Sequence, residues 1–232
     1  MLAIQNFQQR LYTRYKNTLS LPATYNYLYG NPVQPVVPIQ TSRRGVCIIA
    51  VSPPARLATV GPELDVPVAD GCYPFAPAAY FDGSRVRPAT GLDLDDAYLA
   101  PLGLRREQCW LTYLVRVFLF KDEHLARYRR LGCPWPERET YSQFEALARE
   151  SLPWLEEELA LARPRLVITL GTEVAEVLQA VPGLAVNESL LGGVLKDVWL
   201  GEAVYPALHL GAPVADKSDL TKAREIVRRI VG

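Results

Sequence analysis

Short apolar runs alternate along this chain with stretches of helical period. Four runs stand out, at 46–51, 110–115, 166–170 and 203–208. Each is too short for a helix and is bounded by Gly, Pro or polar residues, so each reads as a buried strand. A further segment at 198–200 precedes the last run across Gly201 and reads as a hairpin partner or adjacent strand. Helical spacing appears first at 3–17, where Leu2, Phe7, Leu11 and Tyr15 recur on one side. It is strongest from Phe144 through Leu147, Ala148, Leu152, Leu155 and Leu159, and must end before Pro164. Further helices are expected at 94–101, from Gly171-Thr172 to about residue 180, and over 218–231 with Ser218 as N-cap. Strands alternating with helices predict a parallel sheet covered on both faces.

Two stretches break the pattern. Residues 21–45 carry Tyr25, Tyr27, Tyr29, Pro32, Pro35 and Pro38 and read as an extended lead-in. Residues 52–108 hold little periodicity but two aromatic groups, Tyr73-Pro74-Phe75 and Tyr80-Phe81. A connection of that length in a compact domain is usually functional.

Composition narrows the class. With 232 residues, 49% hydrophobic and 22% charged, the chain suits one sizeable α/β domain, 1–232, with residues 1–28 as a helical extension. No run reaches the roughly 18 apolar residues of a membrane span, and the N-terminus lacks a signal-peptide core. Cys47, Cys72, Cys109 and Cys133 form no CxxC pair; Cys47 falls in a predicted strand and Cys109 directly precedes another. Reduced structural thiols in a cytoplasmic protein are expected, with no metal site and no cofactor. Net charge is zero, yet no acid precedes Glu63, while Arg10, Arg14, Lys16, Arg43, Arg44 and Arg56 do. Residues 137–160 hold seven acids, and the tail from Lys217 through Lys222, Arg224, Arg228 and Arg229 is basic again. Solvated helix faces produce such asymmetry as readily as an anionic ligand does.

In an open α/β sheet, ligands sit beyond the carboxyl ends of the parallel strands. The four strand ends here carry Ser52-Pro53-Pro54-Ala55, Tyr113, Gly171 and His209, so one shared site is expected, with His209 as its most reactive group. The other histidine, His124 in Lys121-Asp122-Glu123-His124, reads as an exposed helical residue without an evident partner.

The order of these motifs resembles the uracil-DNA glycosylase superfamily, and most of all its family-4 branch. The resemblance rests on the helix from Phe144, then Ala162-Arg163-Pro164-Arg165 leading into Leu166–Leu170 and Gly171. Gly192-Gly193-Val194 and Val204-Tyr205-Pro206-Ala207-Leu208-His209 follow in the superfamily's order. Tyr29-Gly30-Asn31-Pro32 and the 52–55 turn occupy the lead-in and first-motif places, so it spans roughly 29–231. It implies a three-layer α/β/α sandwich around a central, mostly parallel four-stranded sheet. It also implies DNA, single- or double-stranded, as the partner, and hydrolysis of the N-glycosidic bond of a flipped base. In that scheme His209 donates a hydrogen bond to the base oxygen, Phe75 stacks on the base, and Tyr113 lines the base pocket. The Ser52–Ala55 loop forms the wall against the sugar, with Ser52 in the catalytic place and Pro54 and Ala55 beside the base. Leu210 supplies the apolar wedge on a tight turn made by Gly211 and Pro213, and Lys217, Lys222, Arg43, Arg44, Arg85 and Arg87 are placed to meet phosphates.

The chain also departs from that family. Ser52 and Pro53 stand where a carboxylate or amide helps activate water, and Tyr113 stands where an Asn reads the base edge. A phenol offers one hydroxyl and a large ring in place of a bidentate amide. The iron–sulfur cysteines are missing, with Ser151 in the third position, so no cluster is expected. Asp65 and Asp70 are the nearest candidates in sequence for the lost acid, although acids in such loops usually face solvent. Three functions therefore compete. The first is excision of a modified or larger base. The second is an inactive member of the fold that binds DNA or a protein. The third is an enzyme acting on a free nucleotide or nucleoside, in a closed pocket without a basic groove.

Overall fold

The computed structural model describes residues 2–22, 27–60, 65–71, 75, 79–81, 86–88, 94–179, 195–211 and 217–232. In chain order the elements are α1 (Leu2–Thr18), β1 (Val46–Ala50), β2 (Ala55–Thr59), β3 (Asp65–Asp70), β4 (Ala79–Phe81) and β5 (Val86–Pro88). A π-helical turn (Asp95–Leu99) runs into α2 (Ala100–Leu102), and a short turn leads to β6 (Cys109–Tyr113). The remainder is α3 (Asp122–Arg130), α4 (Phe144–Ala162), β7 (Leu166–Leu170), α5 (Thr172–Gln179), β8 (Leu195–Leu200), β9 (Ala203–Leu210) and α6 (Lys217–Val231).

The main sheet has the order β6-β1-β7-β9-β8. The first four strands are parallel, and β8 closes the edge as an antiparallel hairpin partner of β9. Gly201 turns that hairpin at φ 58°, a conformation that favours glycine. The fold is therefore mixed α/β, with a central four-stranded parallel sheet flanked by helices. Neighbours in register share a face, so the two faces can be read from the sheet. One face carries Cys47, Ile49, Trp110 and Val167 and is covered by α1, α4 and α5. The opposite face carries Val46, Ile48, Leu111, Leu166, Ile168, Leu208 and Leu210, packed under residues 94–104 and α6.

α1 is clamped to α4 by Phe7 and Tyr15 against Trp154, with ring centroids 6.2 and 6.1 Å apart. The Tyr15 hydroxyl lies 2.7 Å from Ser151 Oγ and accepts the Arg116 N–H at 2.9 Å. Beneath it is a fully buried polar knot. Glu158 takes Trp110 Nε1–H at 2.6 Å, Thr112 Oγ1–H at 2.9 Å and Arg116 Nη2–H at 2.5 Å. Arg116 and Glu158 are 1% and 0% exposed, so this ion pair joins α4 to the end of β6 away from water.

Residues 52–108 contain a second sheet, ordered β3-β2-β4-β5, that the sequence pattern did not predict. Its strands are three to six residues long, and a bulge between Arg56 and Leu57 interrupts the alternation. The predicted helix at 94–101 is instead the π-helical turn continued by α2. α6 begins at Lys217, so Ser218 lies within its first turn rather than capping it. No described helix is long and apolar enough to cross a membrane.

Candidate functional site

At the end of β6, Tyr113 points to the face that α6 covers and meets Phe75 from the long connection. Their rings stack, with centroids 4.5 Å apart and planes 14° from parallel. The Phe75 N–H donates to the Tyr113 hydroxyl at 2.5 Å. Burial pushes the Tyr113 phenol up, which keeps it protonated. Phe75 sits at φ 58°, the left-handed region that a residue with a Cβ occupies only when held there. A second hold comes from Arg106 Nη2, which donates to the Phe75 carbonyl at 3.2 Å. Arg106 is itself anchored to the Asp95 carboxylate, its Nε at 2.8 and 2.7 Å from the two oxygens. The same π-helical turn reaches the opposite loop, where Tyr98 donates its hydroxyl to the Gly211 carbonyl at 2.5 Å. Burial raises the Tyr98 phenol to about 12. One irregular turn thus braces both the Phe75 backbone and the chain leaving β9. Sequence reading missed Asp95, Tyr98 and Arg106, and a π-turn leaves no distinct pattern of letters.

His209 is placed differently. β9 continues two residues beyond the predicted run, so the imidazole lies within the strand, in register with Thr169. That row includes Ile49 and Thr112, on the face covered by α4 and α5. His209 is wholly buried. Its Nδ1 lies 2.5 Å from Thr169 Oγ1, and its Nε2 lies 2.5 Å from the Gln179 amide nitrogen on α5. Both ring nitrogens are thus engaged by buried or half-buried side chains, so the imidazole is not presented to a base oxygen. Tyr113 with Phe75 and His209 therefore lie on opposite faces of the sheet. The expected convergence of imidazole, aromatic ring and proline turn in one cavity does not occur.

The other predicted residues scatter similarly. Pro53 is buried, Ser52 and Pro54 are half-buried, and Ala55 starts β2 opposite Asp70. Pro54 accepts the Gly71 N–H at 3.1 Å, so this turn launches the second sheet. Asp70 is partly buried rather than solvated. Its carboxylate takes the Tyr27 hydroxyl at 2.7 Å and the Gln34 N–H at 3.0 Å, while Asp65 accepts Thr59 Oγ1–H at 2.9 Å. Among the described residues no carboxylate is hydrogen-bonded to Ser52. Leu210 is fully buried and faces Leu170, so it belongs to the core and cannot serve as a wedge. Lys217 is exposed at the start of α6, and Lys222 pairs with Asp219 at 3.6 Å. Arg43 and Arg44 precede β1, at the sheet edge opposite Tyr113 and Leu210. His124 is buried; its Nδ1 accepts the Lys121 N–H at 3.2 Å, and burial lowers it to about 4. Tyr73, Pro74, Arg85, Gly192, Gly193 and Val194 lie outside the described residues, as does the side chain of Arg87.

Neither of two surface cavities includes a predicted site residue. One, of about 430 Å³, lies between Tyr141, Glu145, Glu173 and Glu176. The other, of about 260 Å³, lies beside Asp95 and Arg105. The described thiols do not fit an iron–sulfur cluster. Cys47 and Cys109 sit on opposite faces of the sheet, and Ser151 is tied to Tyr15 and to the Leu147 carbonyl. No group of three or more His, Cys, Asp or Glu among the described residues could hold a metal.

A parallel sheet between helical layers, with a stacked aromatic pair at its carboxyl edge, defines a mixed α/β domain of the open-sheet type, whose ligand crevices lie beyond the carboxyl ends of the strands. The family model of the uracil DNA glycosylase superfamily matches residues 73–225, about two thirds of the chain. The chain belongs to that superfamily. The match takes in Phe75, Tyr113, the Leu166–Leu170 strand and His209, and leaves the 52–55 turn and the lead-in outside. No curated protein matches the chain.

Proposed function

We propose that this chain is a DNA-binding, uracil-DNA-glycosylase-like domain whose base place is filled by its own tyrosine, and that it does not excise plain uracil. The observation that carries this reading is the Tyr113 ring stacked on Phe75 at 4.5 Å. A flipped base would seek that same aromatic face, where stacking is worth about 1–3 kcal/mol. To enter, the base would have to displace a ring that already makes this contact and holds the Phe75 N–H. Two further features support the reading. His209 is engaged through both ring nitrogens on the far face. No carboxylate among the described residues is hydrogen-bonded to Ser52, and the nearby Asp70 is engaged by Tyr27 and Gln34 rather than set to activate water or steady a sugar cation.

A second reading, hydrolysis of the N-glycosidic bond of a modified base, is favoured by one observation. Phe75 is held at φ 58° by Tyr113 and Arg106, and release of the tyrosine would relax that backbone and expose the ring. Base-release assays separate the two. Single- and double-stranded oligonucleotides carrying uracil, hypoxanthine, xanthine or 5-substituted pyrimidines are incubated with the protein, while binding of the same strands is followed by fluorescence anisotropy. Binding without release supports the first reading. Release of a modified base, lost in a Phe75→Ala variant, would replace it with the second.

A further inference from the structure

We propose that the amino edge of the main sheet is a second DNA-contacting surface, built from Arg43, Arg44, Arg163 and Arg165 and remote from the Phe75–Tyr113 site. This rests on the DNA-binding reading above and adds a place where the phosphate backbone is held.

The four arginines belong to two crossing segments, one entering β1 and one entering β7. The segments are tied together by the Arg44 N–H on the Ala162 carbonyl and by the Arg165 N–H on the Gly45 carbonyl, each 2.9 Å. Arg43 Nε adds a bond to the Leu161 carbonyl at 2.9 Å. All four residues are exposed. None has a carboxylate partner among the described residues, although Glu107 is exposed at the same edge and Glu157 on α4 pairs with Arg10. Five-residue parallel strands separate this edge from Tyr113 by about 15 Å, so one bound nucleotide cannot span both.

Cation attraction to the last carbonyls of α4 explains Arg43, whose bond caps them, and favours Arg163 at the same helix end, while it leaves the Arg44 and Arg165 side chains without a structural task among the described residues. The backbone gives an independent sign. Arg44 and Arg163 both hold left-handed conformations, at φ 60° and 48°. Arg163 is the residue that ends α4, where glycine meets the geometry at lower cost. Arginine at two such places retains a charge that the turn itself does not need. Exposed guanidiniums carried on two hydrogen-bonded segments, without a carboxylate partner among the described residues, suit the regularly spaced phosphates of a nucleic-acid backbone, which they bind without reading sequence.

The test is anisotropy with a fluorescent, uracil-free 30-base-pair duplex over a range of salt concentrations. The proteins are the wild type, the Arg44→Gly/Arg163→Gly double variant, the quadruple variant that adds Arg43→Ala and Arg165→Ala, and Lys217→Ala. Each phosphate contact contributes about 0.9 to the slope of log affinity against log salt. The slope is expected to fall by about two in the double variant and by about three to four in the quadruple variant, with affinity reduced at least tenfold. Lys217→Ala should lower it by no more than about one. The glycines suit the backbone they replace, so the double variant should melt no lower than the wild type. If the wild type binds and both arginine variants keep its slope, the second surface is refuted while DNA binding stands. If the wild type binds no duplex, both readings fall. Arginine-dependent binding of poly-glutamate with none of DNA would assign the edge to an acidic protein and also overturn the proposal.

Discussion

Replacing Glu158 with Gln should strip the protein of a large part of its stability while leaving its shape almost unchanged. The carboxylate accepts from Trp110, Thr112 and Arg116, all within 2.9 Å, in a region with no solvent. An amide of the same size can face only one way. Its NH₂ group must meet either the Trp110 indole N–H or the Thr112–Arg116 pair, donor against donor. The Arg116 charge, 1% exposed, would then remain in the interior without a counter-ion, and its Nε already lacks a partner among the described residues. Removing one member of a buried ion pair costs about 3–5 kcal/mol. For a chain of this length that lowers the melting temperature by about 6–20 °C, and it should shift the urea midpoint without changing the slope. Glu158→Met combined with Arg116→Met should recover most of the loss, because it removes both charges together. Urea unfolding followed by tryptophan fluorescence is the assay. A loss below about 1 kcal/mol for Glu158→Gln, or a double variant worse than the single, would refute the reasoning. The knot brackets Tyr113, with Trp110 and Thr112 before it in β6 and Arg116 three residues past it, so it also fixes where β6 ends and the aromatic pair begins.

Tyr113→Phe keeps the stack and removes the acceptor of the Phe75 N–H, and should cost about 1–3 kcal/mol in urea unfolding; no measurable loss would show that bond to be unimportant. His209→Ala should also destabilise, by about 2–4 kcal/mol, because it opens a cavity and strips partners from Thr169 and Gln179, whereas duplex binding should not change. His124 gives a pH dependence of defined sign. Its folded value, about 4, lies below the ordinary 6.5, so the unfolded chain binds the proton first. Stability is therefore complete above about pH 6.5 and falls as pH drops towards 4, by at most about 3 kcal/mol. His124→Gln should flatten stability across that window, and an unchanged profile would exclude His124 as the cause.

The main strands and the long helix were legible because each carries an unbroken pattern: Val46 to Ile49 buried on both faces, Phe144 to Leu159 at three and four. The second sheet was not, since β4 and β5 are three residues long and the bulge at Arg56 scrambles the alternation of β2. The stacked pair was half visible. The sequence brought Phe75 and Tyr113 to one neighbourhood, but not to contact with each other. His209 was misjudged for a reason of register. Whether it faces the same side as Tyr113 depends on how β9 aligns with β7, and strand composition does not encode that alignment. Leu210 was misread along with it, because the two extra residues of β9 turn a supposed loop tip into core. Arg43 and Arg44 were picked out as basic, yet their edge of the sheet could be known only after the strands were ordered.

The most direct test of the central claim, that Tyr113 occupies the place a base would take, is the binding of free nucleobases. Isothermal titration of uracil, thymine and hypoxanthine into the wild type and into Tyr113→Ala compares a filled place with an emptied one. The account predicts no binding to the wild type and saturable binding to Tyr113→Ala that disappears on adding Phe75→Ala. Saturable binding of a base to the wild type would contradict it.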